Sequence, residues 1–265
     1  MKSTQETTNF ATAMNISSQS CIKPVVFNDV PHLVAAQSTR HGGVSHAPWN
    51  SLNLGKSTGD NASHVEENRR IFCNQLGYSP DQMAWSKQVH EDRIRIVESP
   101  GGSYGHDALI TNIPRILLAV SIADCTPVLI CDPVKRVVAA VHAGWKGTVA
   151  GITGGTLKKM HEYYGANFAD CRVFIGVCID ECSFEVGDEV AEQFDNPFKR
   201  YDHDRGKYMV DLKKANAHQC LDLGVPASQI EVSAFSTFVH HEHFFSHRYD
   251  KGITGRGLCV IALDR

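Results

Sequence analysis

Three residues that can bind a transition metal each lie at the end of an apolar stretch. They are His90 in Gln-Val-His, Cys125 in Ala-Asp-Cys-Thr-Pro and His142 in Val-His-Ala-Gly-Trp. Two imidazoles and one thiolate suit zinc, and three protein ligands leave the fourth tetrahedral position open to water or substrate. The residue types therefore indicate a catalytic rather than a structural metal site, although their spacing matches no zinc-finger pattern.

The composition excludes several classes of partner. The chain has 265 residues, and its 42% hydrophobic content is enough for a substantial core. A net charge of −3 gives no bulk attraction to nucleic acid or to anionic membrane, so an anionic ligand must be held by local charges. The longest apolar run, 116–122, falls short of the roughly 18 residues that a membrane-spanning helix needs. We expect no nucleic-acid or membrane partner.

Two features concern the compartment of the protein. Residues 1–20 are polar and lack the apolar segment of a signal peptide, which predicts a cytoplasmic location. The nine cysteines are odd in number, and several, such as Cys131 and Cys259, lie within apolar runs. This distribution favours buried free thiols over a disulfide framework.

Apolar periodicity and turn residues predict an intermixed set of helices and strands. Helices are expected at 61–76, 149–164, near 186–194 and at 213–223. Strands are expected at 31–39, 116–122, 128–131, 137–141, 173–177 and 258–263. Because these elements follow no regular βαβ order, we predict a single α+β domain over residues 23–265, preceded by a flexible tail at residues 1–22.

Seven short motifs occur along the chain in the same order as in a known protein family. They are STRHGGVS at 38–45, SLNLG at 51–55, QVH at 88–90, DALIT at 107–111, ADCTPV at 123–128, AVHAGWKGT at 140–148 and FFSHR at 244–248. From about residue 34 to its end, the chain resembles the YfiH/YlmD family, also called the laccase-domain or multicopper polyphenol oxidase-like family.

The resemblance implies a fold, an activity and a cofactor. The implied fold is one α+β domain of mixed sheets packed between helices. The implied activity is that of a purine nucleoside phosphorylase acting on adenosine, inosine and methylthioadenosine, with adenosine deaminase activity in the same pocket. The partners would be a purine nucleoside and phosphate. The implied ligands of a zinc ion are His90, Cys125 and His142, with copper as the alternative metal.

The residues suit this chemistry. Zinc lowers the pKa of a bound water to about 7, which would allow deamination of adenine near neutral pH. Phosphorolysis needs a phosphate-binding site and a proton donor to the purine. We predict that Arg40 beside Gly42 and Gly43 binds phosphate, because a guanidinium offers a fork of donors and glycines let backbone N–H groups approach an anion.

Further residues join the predicted site. His41 could protonate the purine or orient phosphate, and Asp124 could orient the neighbouring metal ligand Cys125. Simpler roles stay open: a surface charge for Arg40, a hydrogen bond within the turn for His41, and a turn cap for Asp124. The remaining predicted phosphate ligands are Ser38, Lys146 and Arg248.

The chain departs from the family pattern at three places. Ser236-Thr237 stands where relatives carry Cys before Thr, Arg248-Tyr249 replaces an Arg-Arg pair, and Val177 replaces the proline of Ile-Gly-Pro. These departures put the C-terminal part of the pocket in doubt and leave the metal ligands untouched.

Two other clusters are weaker metal candidates. The segment 240–247 is rich in histidine, but Glu242 lies outside the pair His243 and His247, so the His-Glu-x-x-His motif is not formed. Cys178 and Cys182 lack the second cysteine pair of a structural zinc site.

Three competing functions remain open. Cys125 could be the nucleophile and His142 the base of a cysteine amide hydrolase that edits peptidoglycan precursors, a role also associated with the family. Copper-dependent polyphenol oxidation would need many more histidine ligands. A zinc-stabilised binding module would need a fourth protein ligand. The sequence leaves the oligomeric state open.

Overall fold

The computed structural model describes residues 19–265. The helices in this range are α1 (Ala62–Gln75), α2 (Trp145–Val149), α3 (Ile152–Tyr164), α4 (Asp188–Ala191) and α5 (Leu212–Asp222). The strands are β1 (Cys21–Ile22), β2 (Leu33–Ser38), β3 (Met83–Lys87), β4 (Ile94–Ile96), β5 (Gly101–Tyr104), β6 (Ala108–Thr111), β7 (Leu117–Ile122), β8 (Thr126–Asp132), β9 (Val137–Ala143), β10 (Arg172–Ile175), β11 (Glu185–Val186), β12 (Lys199–Asp202), β13 (Lys207–Val210), β14 (Ile230–Val232) and β15 (Gly257–Leu263).

The strands form two large sheets and one small sheet. The first sheet has the order β1-β2-β15-β7-β3-β5, the second β14-β10-β8-β9-β6-β4, and the small sheet β11-β13-β12. Both large sheets are mixed. In the first, β3 runs parallel to β5 and β7, while β15 is antiparallel to β2 and β7. The predicted α+β class and single-domain architecture are confirmed.

Alternation of side chains along the strands creates a core on each face of each large sheet. Leu118 of β7 and Leu129 of β8 belong to the core between the two sheets. Leu117 points the other way, into a core that it shares with Phe72 of α1. On the far side of the second sheet, the strands share a core with Leu157 of α3 and with α5. The two sheets are thus packed between helices.

Local sequence explains where the helices begin and end. Helix α1 agrees with the prediction, and its N-cap Asn61 accepts a hydrogen bond from the backbone N–H of Ser63. The helix predicted at 149–164 begins at Ile152, because Gly151 adopts a φ of 78° and separates it from α2. The helix predicted near 186–194 shortens to α4, since Glu185–Val186 pairs with β13 instead.

The predicted N-terminal tail lies mostly outside the described residues. Residues 1–18 are not described, while Cys21 and Ile22 pair with Ser38 and Gln37 as the edge strand of the first sheet. The last two residues of the predicted tail therefore belong to the folded domain. All nine cysteines are free thiols. None of the helices in residues 19–265 is long and apolar enough to cross a membrane.

Candidate metal centre and adjoining cavity

Three chain segments that follow or end strands bring the predicted metal ligands together. His90 follows β3, Cys125 lies between β7 and β8, and His142 is in β9 opposite Pro127 of β8. Their donor atoms all lie within 4.8 Å of one another. Within residues 19–265, no other group of three or more His, Cys, Asp or Glu side chains has this geometry.

The orientation of the two imidazoles follows from their hydrogen bonds. His142 Nδ1 lies 2.8 Å from Asp107 Oδ1. A carboxylate only accepts, so Nδ1 carries a proton, and Nε2 is the nitrogen left for a metal, which would displace any proton there. His90 Nδ1 lies 3.9 Å from Cys125 Sγ, and the two imidazole rings are 4.8 Å apart between centroids. Two nitrogens and one sulfur thus converge on one point.

Asp107 fixes both histidines at once. Besides His142, its buried carboxylate accepts backbone N–H groups of Val89 at 3.1 Å, His90 at 3.0 Å and Glu91 at 3.2 Å. These bonds hold His90 in the left-handed region, at a φ of 61°, which is costly for a non-glycine residue. One carboxylate therefore positions ligands that are distant in the sequence.

The charges of the group favour a thiolate. Burial alone would raise the pKa of Cys125, but His142 and His90 outweigh it and lower the pKa to about 6. Burial likewise opposes a charge on His142, yet Cys125 and Asp107 raise its pKa to about 9. Near neutral pH Cys125 is therefore a thiolate, the form that binds metals and attacks carbon.

Space for a bound ion is kept by Gly144, the residue before α2. A Cβ placed on Gly144 would lie 3.0 Å from His90 Nδ1 and 3.3 Å from Cys125 Sγ. The φ of −67° and ψ of 172° at Gly144 are allowed for any residue, so only the space excludes a side chain. The donor set and this clearance both fit a resident transition metal.

Replacing Gly144 with alanine is expected to weaken metal binding by about tenfold or more, because crowding of a packed site typically costs about 1–3 kcal/mol. Gly155→Ala in α3 is the matched control, since a Cβ there meets only Ile94 Cδ1 at an ordinary 3.7 Å. Titration against a competing chelator measures both affinities. Equal metal affinities of Gly144→Ala and Gly155→Ala would show that metal binding does not need the space beside Gly144.

A cavity of about 710 Å³ adjoins the candidate metal ligands. All three ligands contribute to its wall, together with aromatic side chains from the first sheet and from the segment before β11, namely Trp85, Tyr104 and Phe184. The remaining lining residues are Gly55, Lys56, Ser57, Thr58, Arg69, Ser86, Lys87, Gln88, Ser103, Ser121, Ala123, Asp124, Ile179, His247, Arg248 and Arg256.

The wall of the cavity is strongly cationic, although the whole chain carries a net charge of −3. Among the lining residues Asp124 is the single carboxylate, whereas five side chains are cationic: Lys56, Arg69, Lys87, Arg248 and Arg256. Low-dielectric walls lined by one sign of charge concentrate counter-ions. The cavity therefore provides the local positive charges that an anionic ligand needs on a chain of negative net charge.

Asp124 organises the C-terminal wall of the cavity. Its Oδ1 accepts the hydroxyls of Thr237 at 2.6 Å and Ser246 at 2.7 Å, and its Oδ2 accepts the backbone N–H of Arg248 at 2.6 Å. Its φ of 85° is again left-handed, directly beside Cys125. Asp124 thus links the metal-ligand segment to the segment that carries Arg248.

Three residues at which the chain departs from the family pattern lie behind the cavity wall and have defined hydrogen-bond partners. Ser236 Oγ donates to Asp180 Oδ1 at 2.8 Å, and Thr237 binds Asp124 as described. Val177, unlike a proline, has an N–H group, and it donates to Gln37 Oε1 at 2.7 Å. The hydrogen-bonding groups of these segments are therefore satisfied with the residues that the chain carries.

Arg40 does not line the cavity. Its Nε donates to the Asn50 carbonyl and its Nη1 to the His241 carbonyl, both at 2.8 Å, and the guanidinium stacks over Phe245. A Cβ on Gly43 would collide with the Ser51 carbonyl, so this glycine serves close packing of the turn. The predicted phosphate-binding role of this turn stays a prediction, and the contacts favour a structural one.

The other predicted residues of this set also have partners away from the cavity. Ser38 Oγ accepts the backbone N–H of Leu258 at 2.9 Å, and His41 Nε2 lies 2.9 Å from His243 Nδ1. Gly42 and the exposed Lys146 are likewise absent from the wall. Of the predicted phosphate ligands, the structure brings only Arg248 to the cavity beside the metal ligands.

Several lining residues were missed by the sequence analysis. Arg69 lies in the predicted helix at 61–76, where a charged residue is most often exposed, and Lys56 directly follows the motif SLNLG at 51–55. Arg256 lies between Gly255 and Gly257, and such flanking of a cation by glycines before a strand was a usable signal. Trp85 carried no local signal, because an aromatic residue in a strand is most often core.

Known proteins resemble this chain in both sequence and fold. Residues 34–264 match the family described as multi-copper polyphenol oxidoreductase laccase. The purine nucleoside phosphorylase of Bacteroides thetaiotaomicron is 36% identical over 258 residues, covering 90% of this chain and 93% of that protein. The purine nucleoside phosphorylase YfiH of Escherichia coli is 38% identical over 237 residues, covering 87% of this chain and 94% of that protein. The crystal structure of YlmD from Geobacillus stearothermophilus superposes with a TM-score of 0.85 at 34% identity, covering 89% of this chain and 93% of that chain.

Proposed function

We propose that this chain, which belongs to the family of multi-copper polyphenol oxidoreductase laccase proteins that includes YfiH and YlmD, is a zinc-dependent purine nucleoside phosphorylase. Adenosine, inosine and methylthioadenosine are its proposed substrates, and adenosine deamination is proposed in the same cavity. The observation that carries the proposal is the grouping of His90, Cys125 and His142 in the wall of a cationic cavity. Relatives named purine nucleoside phosphorylase support it.

Zinc is the metal that the donor set suits best. The group has two imidazoles and one thiolate, and no fourth His, Cys, Asp or Glu of the described residues joins it. A structural zinc site would close the fourth position with a protein ligand. Copper-dependent polyphenol oxidation would require ligands for several coppers, and residues 19–265 contain this one group. A bound zinc ion would supply Lewis acidity at the cavity wall.

Residues of the cavity wall would meet two other needs of phosphorolysis, the binding of phosphate and the binding of the nucleoside. In this reaction a phosphate oxygen forms a bond to C1′ of the ribose, the bond from C1′ to the purine nitrogen breaks, and the purine takes up a proton. Cationic side chains of the wall would hold the phosphate against the ribose. Trp85, Tyr104 and Phe184 offer aromatic faces for the nucleoside.

Purified protein is expected to convert adenosine to adenine and ribose 1-phosphate only when phosphate is present, and to form inosine without phosphate. Chromatographic separation of the products in paired reactions with and without phosphate measures both activities. A preparation that holds stoichiometric zinc and yields neither adenine nor ribose 1-phosphate would overturn the phosphorylase proposal. Metal analysis of the same preparation distinguishes zinc from copper.

A second function is favoured by one specific arrangement. Asp107 binds the imidazole of His142, and His142 lies within 4.8 Å of the thiolate of Cys125, which gives the nucleophile, base and orienting acid of a cysteine hydrolase. Such an enzyme could cleave an amide of a peptidoglycan precursor. The two functions compete for one sulfur, because a thiolate bound to zinc is less free to attack carbon. Tightly held, stoichiometric metal on the active protein would exclude the hydrolase.

A further inference from the structure

Three cationic side chains of the cavity converge on the segment 53–58. Lys56 belongs to this segment, and Arg69 of α1 donates from Nε to the Leu54 carbonyl at 2.8 Å. The backbone of Arg256 donates to Asn53 Oδ1 and accepts from the N–H of Leu54, each at 2.9 Å. We call Lys56, Arg69 and Arg256 the cationic corner. All three line the cavity.

The segment that carries the corner is rigidly built. Asn53 Nδ2 donates to Thr58 Oγ1 at 2.8 Å, and Asn53 Oδ1 accepts the N–H of Gly55 at 3.1 Å. A Cβ on the buried Gly55 would lie 2.8 Å from the Arg256 side chain, so only glycine lets the segment approach this arginine so closely. The convergence of the three cations is therefore specified by the fold.

Within the described residues no ion pair neutralises the corner, and the charges of Glu66 and Asp124 act on Lys56 and Arg256 only from beyond ion-pair distance. Arg69 is only 7% exposed, yet apart from the Leu54 carbonyl its side chain meets Met83 Sδ at 3.5 Å and the Trp85 ring at 5.8 Å. Within residues 19–265, neither Arg69, Lys56 nor Arg256 forms an ion pair with Asp or Glu. Arg256 Nη1 donates to the carbonyls of Thr254 at 3.1 Å and Gly255 at 2.9 Å, which leaves its Nε and Nη2 donors for a ligand. Burial lowers the pKa of Arg69 to about 10. Burying an unpaired cation is costly, and an anion in the cavity would offset that cost.

The corner also places like charges side by side. Lys56 Nζ lies 4.6 Å from the centre of the Trp85 ring over which Arg69 is also positioned. Asp124, the single carboxylate of the cavity wall, is already bound by two hydroxyls and a backbone N–H group. Three cations and the hydroxyl of Ser57 in the wall of one cavity match an oxyanion of more than one charge, such as phosphate.

We propose that the cationic corner of Lys56, Arg69 and Arg256 binds the phosphate co-substrate, an inference that rests on the proposed phosphorylase function. The phosphate would enter on the side of the cavity that Trp85 borders. The phosphate site would then lie in the cavity and not at the turn of Arg40, where the sequence analysis predicted it.

The test compares Lys56→Gln and Arg256→Gln with wild type. Lys56 is exposed and makes no side-chain hydrogen bond in the described structure, so its replacement leaves the fold intact. Each variant is expected to raise the KM for phosphate by about tenfold, because hydrogen bonds to a charged group are worth about 1.5–3 kcal/mol, while the KM for adenosine changes little. Arg70→Gln is the matched control, since Arg70 neighbours Arg69 on α1 but is exposed and pairs with Glu67. Its KM for phosphate should equal that of wild type.

Direct binding separates the failure of this inference from the failure of the proposed function. Calorimetric titration with inorganic phosphate should show weaker binding to Lys56→Gln and Arg256→Gln than to wild type, whether or not adenosine is cleaved. If wild type is active and both variants keep its KM for phosphate, the inference is overturned and the phosphorylase function stands. If adenosine 5′-monophosphate loses affinity in the variants while the KM for free phosphate does not change, the corner binds a phosphate ester and the inference is likewise overturned.

Discussion

Cys125→Ala is expected to lose the bound metal and the phosphorolysis of adenosine together. The thiolate is the only anionic ligand of the group, and both imidazole donors lie within 4.8 Å of it. Replacing an outer partner of a metal ligand typically costs about 10–100-fold in metal affinity, so loss of the ligand itself should exceed about a hundredfold. Metal content after dialysis and the rate of ribose 1-phosphate formation, measured on the same sample, check the prediction.

Cys182→Ala is the matched control for this variant. Cys182 is an exposed free thiol outside the cavity wall, so its replacement should change neither metal content nor rate. Loss of metal together with activity in Cys125→Ala would indicate that the sulfur is a metal ligand. If Cys125→Ala kept a full complement of metal and lost only activity, Cys125 would act as a nucleophile and the cysteine hydrolase would become the better assignment.

The sequence was sufficient to predict the grouping of His90, Cys125 and His142 because each lies at the end of an apolar stretch within an ordered motif. The ends of buried strands present side chains to a cavity, and the three segments meet because β3 lies beside β7 in one sheet and β8 beside β9 in the other. The role of the Asp107 carboxylate in positioning these residues was harder to predict from the sequence. Asp107 lay within a quoted motif, but its four hydrogen bonds reach residues 16 to 35 positions away, which no local pattern encodes.

The cations Arg40 and Arg69 show why the surroundings of a charged side chain are hard to predict from the sequence. Arg40 beside two glycines has the local features of an anion site, yet its guanidinium donates to two backbone carbonyls, one of Asn50 and one of His241, which is 201 positions away. Arg69 has the local features of a solvent-exposed helical charge, yet the face of α1 that carries it is buried against the segment 53–58. In both cases tertiary contacts, which depend on residues far along the chain, decide the role of the cation.

Asp107→Asn is expected to destabilise the metal-free protein and to weaken metal binding in the same variant. Every hydrogen bond of the Asp107 carboxylate is one that it accepts, three from backbone N–H groups and one from His142 Nδ1. An amide must turn its NH2 group toward some of these donors, which leaves buried donors unpaired. The expected loss is about 3 kcal/mol or more in the free energy of unfolding, by analogy with broken buried charge pairs. Urea denaturation with chelator present measures it.

Metal affinity provides the second measurement, which a purely structural role would not change. Asp107 fixes the protonated nitrogen of His142 and the left-handed backbone of His90, so the variant should bind zinc about 10–100-fold more weakly even at temperatures where it is fully folded. Asp264→Asn is the matched control, because Asp264 pairs with Arg115 at the surface and such pairs contribute little. If Asp107→Asn lost stability but bound zinc with wild-type affinity, the carboxylate would support the fold alone and the two histidines would be positioned by their strands.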